Sequence, residues 1–203
     1  MRKLIIIFLI FNYFQSFPGN PVEVDFKEEF YKELIKLIDS SRNVMYKEKW
    51  YIYSIKDGKR WFDFETSYDT LGSISCYLNN LYRKKLMFNE KIEERFVFNQ
   101  NERTKICSNG QFNSVGECFV SGGLVFSKIK PKEFSKIIFD ELRKSKNDWE
   151  VLMWYGYVDM GIDLMVDESG LYWVTINVGY KKGRNIDFKF KKPKNYENIA
   201  KKS

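Results

Sequence analysis

Two neighbouring runs near the C-terminal end place an apolar residue at every second position. In YVDMGIDLMV, Met160, Ile162, Leu164 and Val166 alternate with Asp159, Gly161, Asp163 and Met165. In LYWVTINV, Tyr172, Val174, Ile176 and Val178 alternate with Leu171, Trp173, Thr175 and Asn177. A period of two places each set on one face of a strand. The Asp167-Glu168-Ser169-Gly170 segment between them supplies the turn of an antiparallel hairpin. The uniformly apolar face has to be buried against something. Asp159, Asp163 and Asp167 share the other face; they could hold calcium through oxygens, but a solvated outer surface is the expected arrangement.

The rest of the chain supplies helices to cover that sheet. Over residues 25–42, Phe26, Phe30, Leu34, Leu37 and Ile38 recur at three- and four-residue spacing, opposite Lys27, Glu28, Glu29, Lys32, Glu33 and Lys36. Asp25, with Glu28 three residues on, reads as an N-cap. A second helix is expected from about Asp69 to Asn89, with Leu71, Ile74, Leu78, Leu81, Tyr82 and Leu86 as its buried stripe. A third begins at Pro131, with Phe134, Ile137, Ile138 and Leu142 inward. Residues 48–64 read as a short hairpin or a packed aromatic loop, and 99–123 as a turn-rich stretch. The expected class is α+β over residues 21–180, with helices packed on a small antiparallel sheet and a C-terminal β-hairpin.

Composition narrows the chemistry. There is no histidine in the 203 residues, which removes Ser-His-Asp and Cys-His catalysis and His-ligated zinc. Three cysteines cannot make an all-cysteine zinc site. The net charge of +7 is concentrated at the ends. Residues 181–203 hold nine Lys/Arg against two Asp/Glu, Arg2 and Lys3 stand alone near the start, and residues 21–180 hold 23 basic against 25 acidic residues. A near-neutral body lacks the basic face of a nucleic-acid-binding domain, so no nucleic-acid partner is expected. The basic C-terminal tail, 181–203, suits contact with anionic surfaces.

At the other end, Arg2 and Lys3 precede LIIIFLIFNYF, then QSFPGNP. A short cationic start, an apolar run too short to span a bilayer and a polar exit are the marks of a signal peptide, here residues 1–19. The expected destination is secreted or periplasmic. In such a compartment Cys107 and Cys118, which bracket SNGQFNSVGE, are the candidate disulfide pair, and Cys76 is expected to pack as a small hydrophobe.

The order of elements and a few segments then become informative: IDSSR (Ile38–Arg42), SVGEC (Ser114–Cys118), FSKIIFDELRKSKNDWEVLMW (Phe134–Trp154), YVDMGIDLMV and LYWVTINVGY. Together they resemble the CAP superfamily, the cysteine-rich secretory, antigen 5 and pathogenesis-related domain, over about residues 25–180. That resemblance implies an exported α-β-α sandwich with a cleft. In many members two histidines and two acidic residues there hold a divalent metal. Residue by residue, the family's Gly-Glu-Asn segment falls on Gly116, Glu117 and Cys118, and its Ser-x-x-His ending on Ser145 to Asp148. Glu141 approximates the second acidic position. With no histidine the metal tetrad is broken, and neither a metal nor another cofactor is expected.

Glu117, Glu141 and Asp148 are therefore the cleft candidates. Glu141 and Asp148 are expected on the same helix, seven apart, which is two turns on one face and about 10 Å along its axis. The expected function is non-catalytic: an exported binding or interaction domain whose partner is a protein, lipid or glycan. Trp50, Tyr51, Tyr53, Trp61, Phe62 and Phe64 are candidates to line an apolar groove, against a plain role in packing. The alternative is a carboxylate-based hydrolase using Glu117 with Glu141 or Asp148.

Overall fold

The computed structural model describes residues 22–49, 52–56, 59–61, 66–92, 99–153, 159–181 and 188–190. Residues 1–19, the expected signal peptide, and Trp50, Tyr51, Phe62 and Phe64 lie outside them, as do the side chains of Tyr53 and Trp61.

In chain order the elements are α1 (Val24–Lys49), β1 (Ile52–Lys56), β2 (Lys59–Trp61), β3 (Ser67–Tyr68), α2 (Thr70–Met87), α3 (Gln100–Cys107), β4 (Phe112–Gly123), α4 (Pro131–Lys144), α5 (Lys146–Leu152), β5 (Asp159–Val166), β6 (Leu171–Lys181) and β7 (Phe188–Phe190). A 3-10 turn at Phe126–Lys128 precedes α4. The main sheet has the order β3-β5-β6-β4, antiparallel except that the two-residue β3 joins β5 in parallel. A second, three-stranded sheet pairs β2, β1 and β7, so Phe188–Phe190 of the basic tail is a strand alongside Ile52–Ser54. The class is α+β, and the main sheet lies between two helical layers.

The β5–β6 hairpin forms as its alternation requires. Asp167 Oδ1 accepts from the Ser169 and Leu171 N–H groups at 2.9 and 3.0 Å, and Gly170 takes the φ of +84° that the turn demands. Its apolar face carries Met160, Ile162, Leu164, Val166, Tyr172, Val174, Ile176 and Val178 into one core with Phe30, Leu34 and Ile38 of α1 and Phe134, Ile138 and Leu142 of α4. Aromatic rings knit its centre: Phe134 lies 4.9 Å from Phe30, 5.1 Å from Phe126 and 5.2 Å from Tyr172, between ring centroids. Pro131 opens α4, where its missing N–H costs nothing, and the Glu133 carboxylate accepts the Lys130 N–H at 3.1 Å.

Arg42, fully buried, ties three segments together. Its Nε donates to the Leu152 carbonyl at 2.7 Å, closing α1 against α5, and its Nη1 donates to Thr66 Oγ1 at 3.1 Å. The Thr66 N–H in turn donates to Asp39 Oδ2 at 2.9 Å.

Four expectations are corrected. Helix α1 starts at Val24, which puts Asp25 in its first turn rather than at the cap. The stretch read as turns holds α3 and the twelve-residue strand β4. The buried face of α2 is Gly72, Ser73, Ser75, Cys76, Asn79 and Asn80, while Leu86 is exposed. Lastly, the aspartate face of the hairpin is not solvated: Asp159 and Asp163 are buried beneath α2. The last two share one cause. A polar sheet face is complemented by a polar, small-residue helix face, so the aliphatic stripe of α2 turns elsewhere.

Candidate functional site

The layer between α2, α3 and the sheet is a buried polar network. Gly72 and Gly161 make the close approach that builds it: a Cβ on Gly161 would lie 2.2 Å from the Gly72 carbonyl carbon and 2.5 Å from Ser73 N. At this distance Ser73 Oγ accepts the Ile162 N–H at 3.0 Å, and Cys76 donates its thiol hydrogen to the Gly161 carbonyl at 3.3 Å. Cys76 is buried, as expected of a small hydrophobe, and burial pushes its thiol well above the ordinary range. The Leu164 N–H, farther along β5, goes to Tyr31 Oη at 3.2 Å. Side chains from both helical layers thus cap the edge of β5 where β3 ends.

Hydrogen bonds run on through this layer in a chain. Asn79 Nδ2 donates to Thr175 Oγ1 at 3.1 Å, Thr175 Oγ1 donates to Asn80 Oδ1 at 2.6 Å, and Asn80 Nδ2 donates to Asp163 Oδ2 at 2.7 Å. Burial raises the Asp163 carboxyl above its usual value, with Lys27 and the Asn80 hydrogen bond pulling the other way.

Glu117 belongs to the same layer. A register shift in β4 between Ser114 and Gly116 turns both Ser114 and Glu117 toward α2 and α3. The Glu117 side chain, 14% exposed, is ion-paired with Arg103 of α3, itself 6% exposed. Arg103 Nε also donates to the Ser75 carbonyl at 3.2 Å, and the Ser75 and Thr104 hydroxyls are hydrogen-bonded to each other at 2.9 Å. Burial raises the Glu117 carboxyl, and the Arg103 charge and hydrogen bond draw it back. A buried pair of this kind is strongly destabilised when one partner is removed, by about 3–5 kcal/mol, because the other charge is left uncompensated.

The other two candidates lie elsewhere. Glu141 is an exposed residue of α4, paired with Lys144 at 2.6 Å. Asp148 is in the first turn of α5, where its N–H donates to Ser145 Oγ at 3.3 Å. Ser145 ends α4 and caps α5, so Glu141 and Asp148 do not share one continuous helix. Cys118, next to Glu117 but on the apolar face of β4, reaches the Asp148 carbonyl at 3.5 Å, which puts Asp148 and Glu117 on opposite sides of the sheet. The three carboxylates therefore do not converge. Cys107, at the end of α3, and Cys118 are free thiols and form no disulfide in the structure.

Sequence reasoning passed over Arg103, Ser75, Asn79, Asn80, Thr175 and Asn177. The signal was there: Gly72, Ser75, Cys76, Asn79 and Asn80 fall at spacings of three and four, a helical stripe made of small and amide side chains.

Comparison with known proteins adds little to this geometry. No protein-family model matches the chain, and no curated protein does. Solved structures do align with it. One is an outer surface protein from Borrelia burgdorferi, with a TM-score of 0.48 at 14% identity, covering 81% of this chain and 100% of that one. Another is hookworm platelet inhibitor, with a TM-score of 0.43 at 12% identity, covering 93% and 86%. At these scores neither likeness carries an argument about function. The reading below rests on the chain itself.

Proposed function

We propose that this is an exported, non-catalytic binding domain of the CAP kind. The observation that carries the reading is the fate of Glu117. Its carboxylate is buried, paired with Arg103 and separated by the sheet from Glu141 and Asp148. General acid–base hydrolysis needs a second group within hydrogen-bond reach of the same substrate. Here the charge of Glu117 is spent on holding α3 to β4. The order of elements agrees with a CAP-like chain: an early helix, the Gly116-Glu117 segment on a strand, the helices over Phe134–Leu152, then the hairpin. The cationic start and apolar run of residues 1–19 support export.

Glu117→Gln is the test. In a binding domain it lowers the urea midpoint by the loss of the buried pair and leaves partner capture by the folded protein unchanged. Loss of a hydrolytic turnover with the midpoint unchanged would replace this reading by the carboxylate hydrolase. Intact mass of the exported protein tests the other half, since a chain retaining residues 1–19 contradicts a cleaved signal peptide.

A further inference from the structure

The last turn of α2 presents Leu86, Met87 and Phe88, which are 44%, 56% and 46% exposed, a run of consecutive large apolar side chains turned to water. Single exposed hydrophobes are ordinary; three in succession are not. The Phe88 N–H donates to the Lys84 carbonyl at 3.1 Å and Asn89 takes a φ of +53°, so the helix ends at this exposed run, its apolar apex. The base of the apex is aromatic and cationic. Arg83 Cζ lies 5.0 Å from the Phe119 ring centroid, Lys84 Nζ lies 5.8 Å from that of Trp173, and the Phe88 ring lies 6.3 Å from Trp173. Between Leu81 and Lys91 the sequence carries Arg83, Lys84, Lys85 and Lys91 against Glu90 alone.

We propose that this apex docks on an anionic lipid surface. Consecutive apolar side chains exposed at a helix end suit an extended interface and not a small ligand. A soluble polyanion would attract the cations but offers nothing to Leu86, Met87 and Phe88. Exposed apolar side chains flanked by Arg83, Lys84 and Lys91 match an anionic interface, where acyl chains take the first and headgroups the second. The basic tail adds long-range attraction of the same sign. The proposal rests on the exported reading only for which membrane the apex meets.

Hydrogen exchange of the full chain with phosphatidylcholine vesicles, with and without phosphatidylglycerol, tests it. The amides of residues 83–91 should slow on the anionic vesicles and stay unchanged on the neutral ones. In the same assay Met87→Ser/Phe88→Ser should abolish the slowing, and Lys91→Glu should weaken partition at least about fivefold. All three positions are exposed, so these variants keep the fold, and a far-UV spectrum checks that. Binding of the double variant equal to wild type, unprotected amides at 83–91, or equal protection by soluble heparin would each overturn the proposal. Intact mass separates the two readings: a retained residue 1–19 segment with protection at 83–91 refutes signal cleavage and leaves the docking apex standing.

Discussion

Gly161→Ala is the sharpest test of how the polar layer is built. The new methyl would lie 2.2–2.7 Å from the Gly72 carbonyl carbon, Ser73 N and Gly72 Cα, all of them backbone atoms of the first turn of α2. No rotamer change relieves such a clash, so α2 must move off β5. Overpacking of this kind costs about 1–3 kcal/mol. The same movement breaks the Ile162 N–H bond to Ser73 Oγ and leaves a buried donor unmet, about 1–3 kcal/mol more. The sum is about 2–6 kcal/mol, centred on about 4, a large part of the stability of an ordinary domain. With an m-value of about 2 kcal/mol per molar, the urea midpoint should fall by about 2 M. Gly123→Ala is the internal control. Its Cβ meets nothing nearer than Leu171 Cδ2 at 3.5 Å, and it should stay within about 0.5 kcal/mol of wild type. A Gly161→Ala midpoint indistinguishable from that of Gly123→Ala would refute the close packing of α2 on β5.

Other perturbations follow from the same structure. Phe134→Ala removes a fully buried ring in contact with Phe30, Phe126 and Tyr172 and should cost about 3–5 kcal/mol by urea denaturation; less than 1.5 would mean that the core closes over the hole. Asp163 holds its proton more tightly in the folded chain than the ordinary 3.8, so its contribution is fully present below 3.8 and is lost as pH rises through the raised value. Asp163→Asn should therefore melt at or above the wild-type temperature at neutral pH, the gap closing as pH falls toward 3.8; a gap that widens on acidification contradicts the desolvation argument. Burial raises the Cys107 thiol to about 11 and that of Cys118 well above the ordinary range. Ellman's reagent at neutral pH should accordingly react slowly with the native protein and quickly with all three thiols in urea; one fast native thiol would show that the end of α3 is open.

The parts of the fold legible in the sequence are those whose environment is one-sided. The hairpin announces itself because Met160, Ile162, Leu164 and Val166 face a greasy layer while their neighbours do not. Helix α4 does so because Pro131 and the spacing of Phe134, Ile138 and Leu142 are local facts. Strand β4 stayed hidden because close packing put glycines where a strand usually carries branched side chains. A Cβ on Gly116 would meet Val151 at 2.4 Å, and one on Gly122 would meet the Tyr172 hydroxyl at 2.5 Å. Those residues read as turn formers when only the chain is visible. For α2 the rule that apolar residues mark the buried face is inverted, because the face beneath it carries Asp163, Thr175 and Asn177. Glu117 stands out in the sequence through its Gly116-Glu117 segment. Its partner Arg103 does not, since nothing local says that a cation fourteen residues earlier crosses to the strand.

The two faces of the sheet also set how the sequence is free to drift. Beneath α1 and α4, aliphatic and aromatic groups can exchange for one another at modest loss so long as volume is kept. Beneath α2, each amide, hydroxyl and carboxylate is fixed by the direction of a neighbour's bond, so a change at Asn80 needs matched changes at Thr175 and Asp163. Descendants of this chain should therefore diverge quickly on one side of the sheet and in coupled steps on the other, and Gly72, Asn80 and Gly161 should outlast Phe30 and Leu34 as marks of shared ancestry.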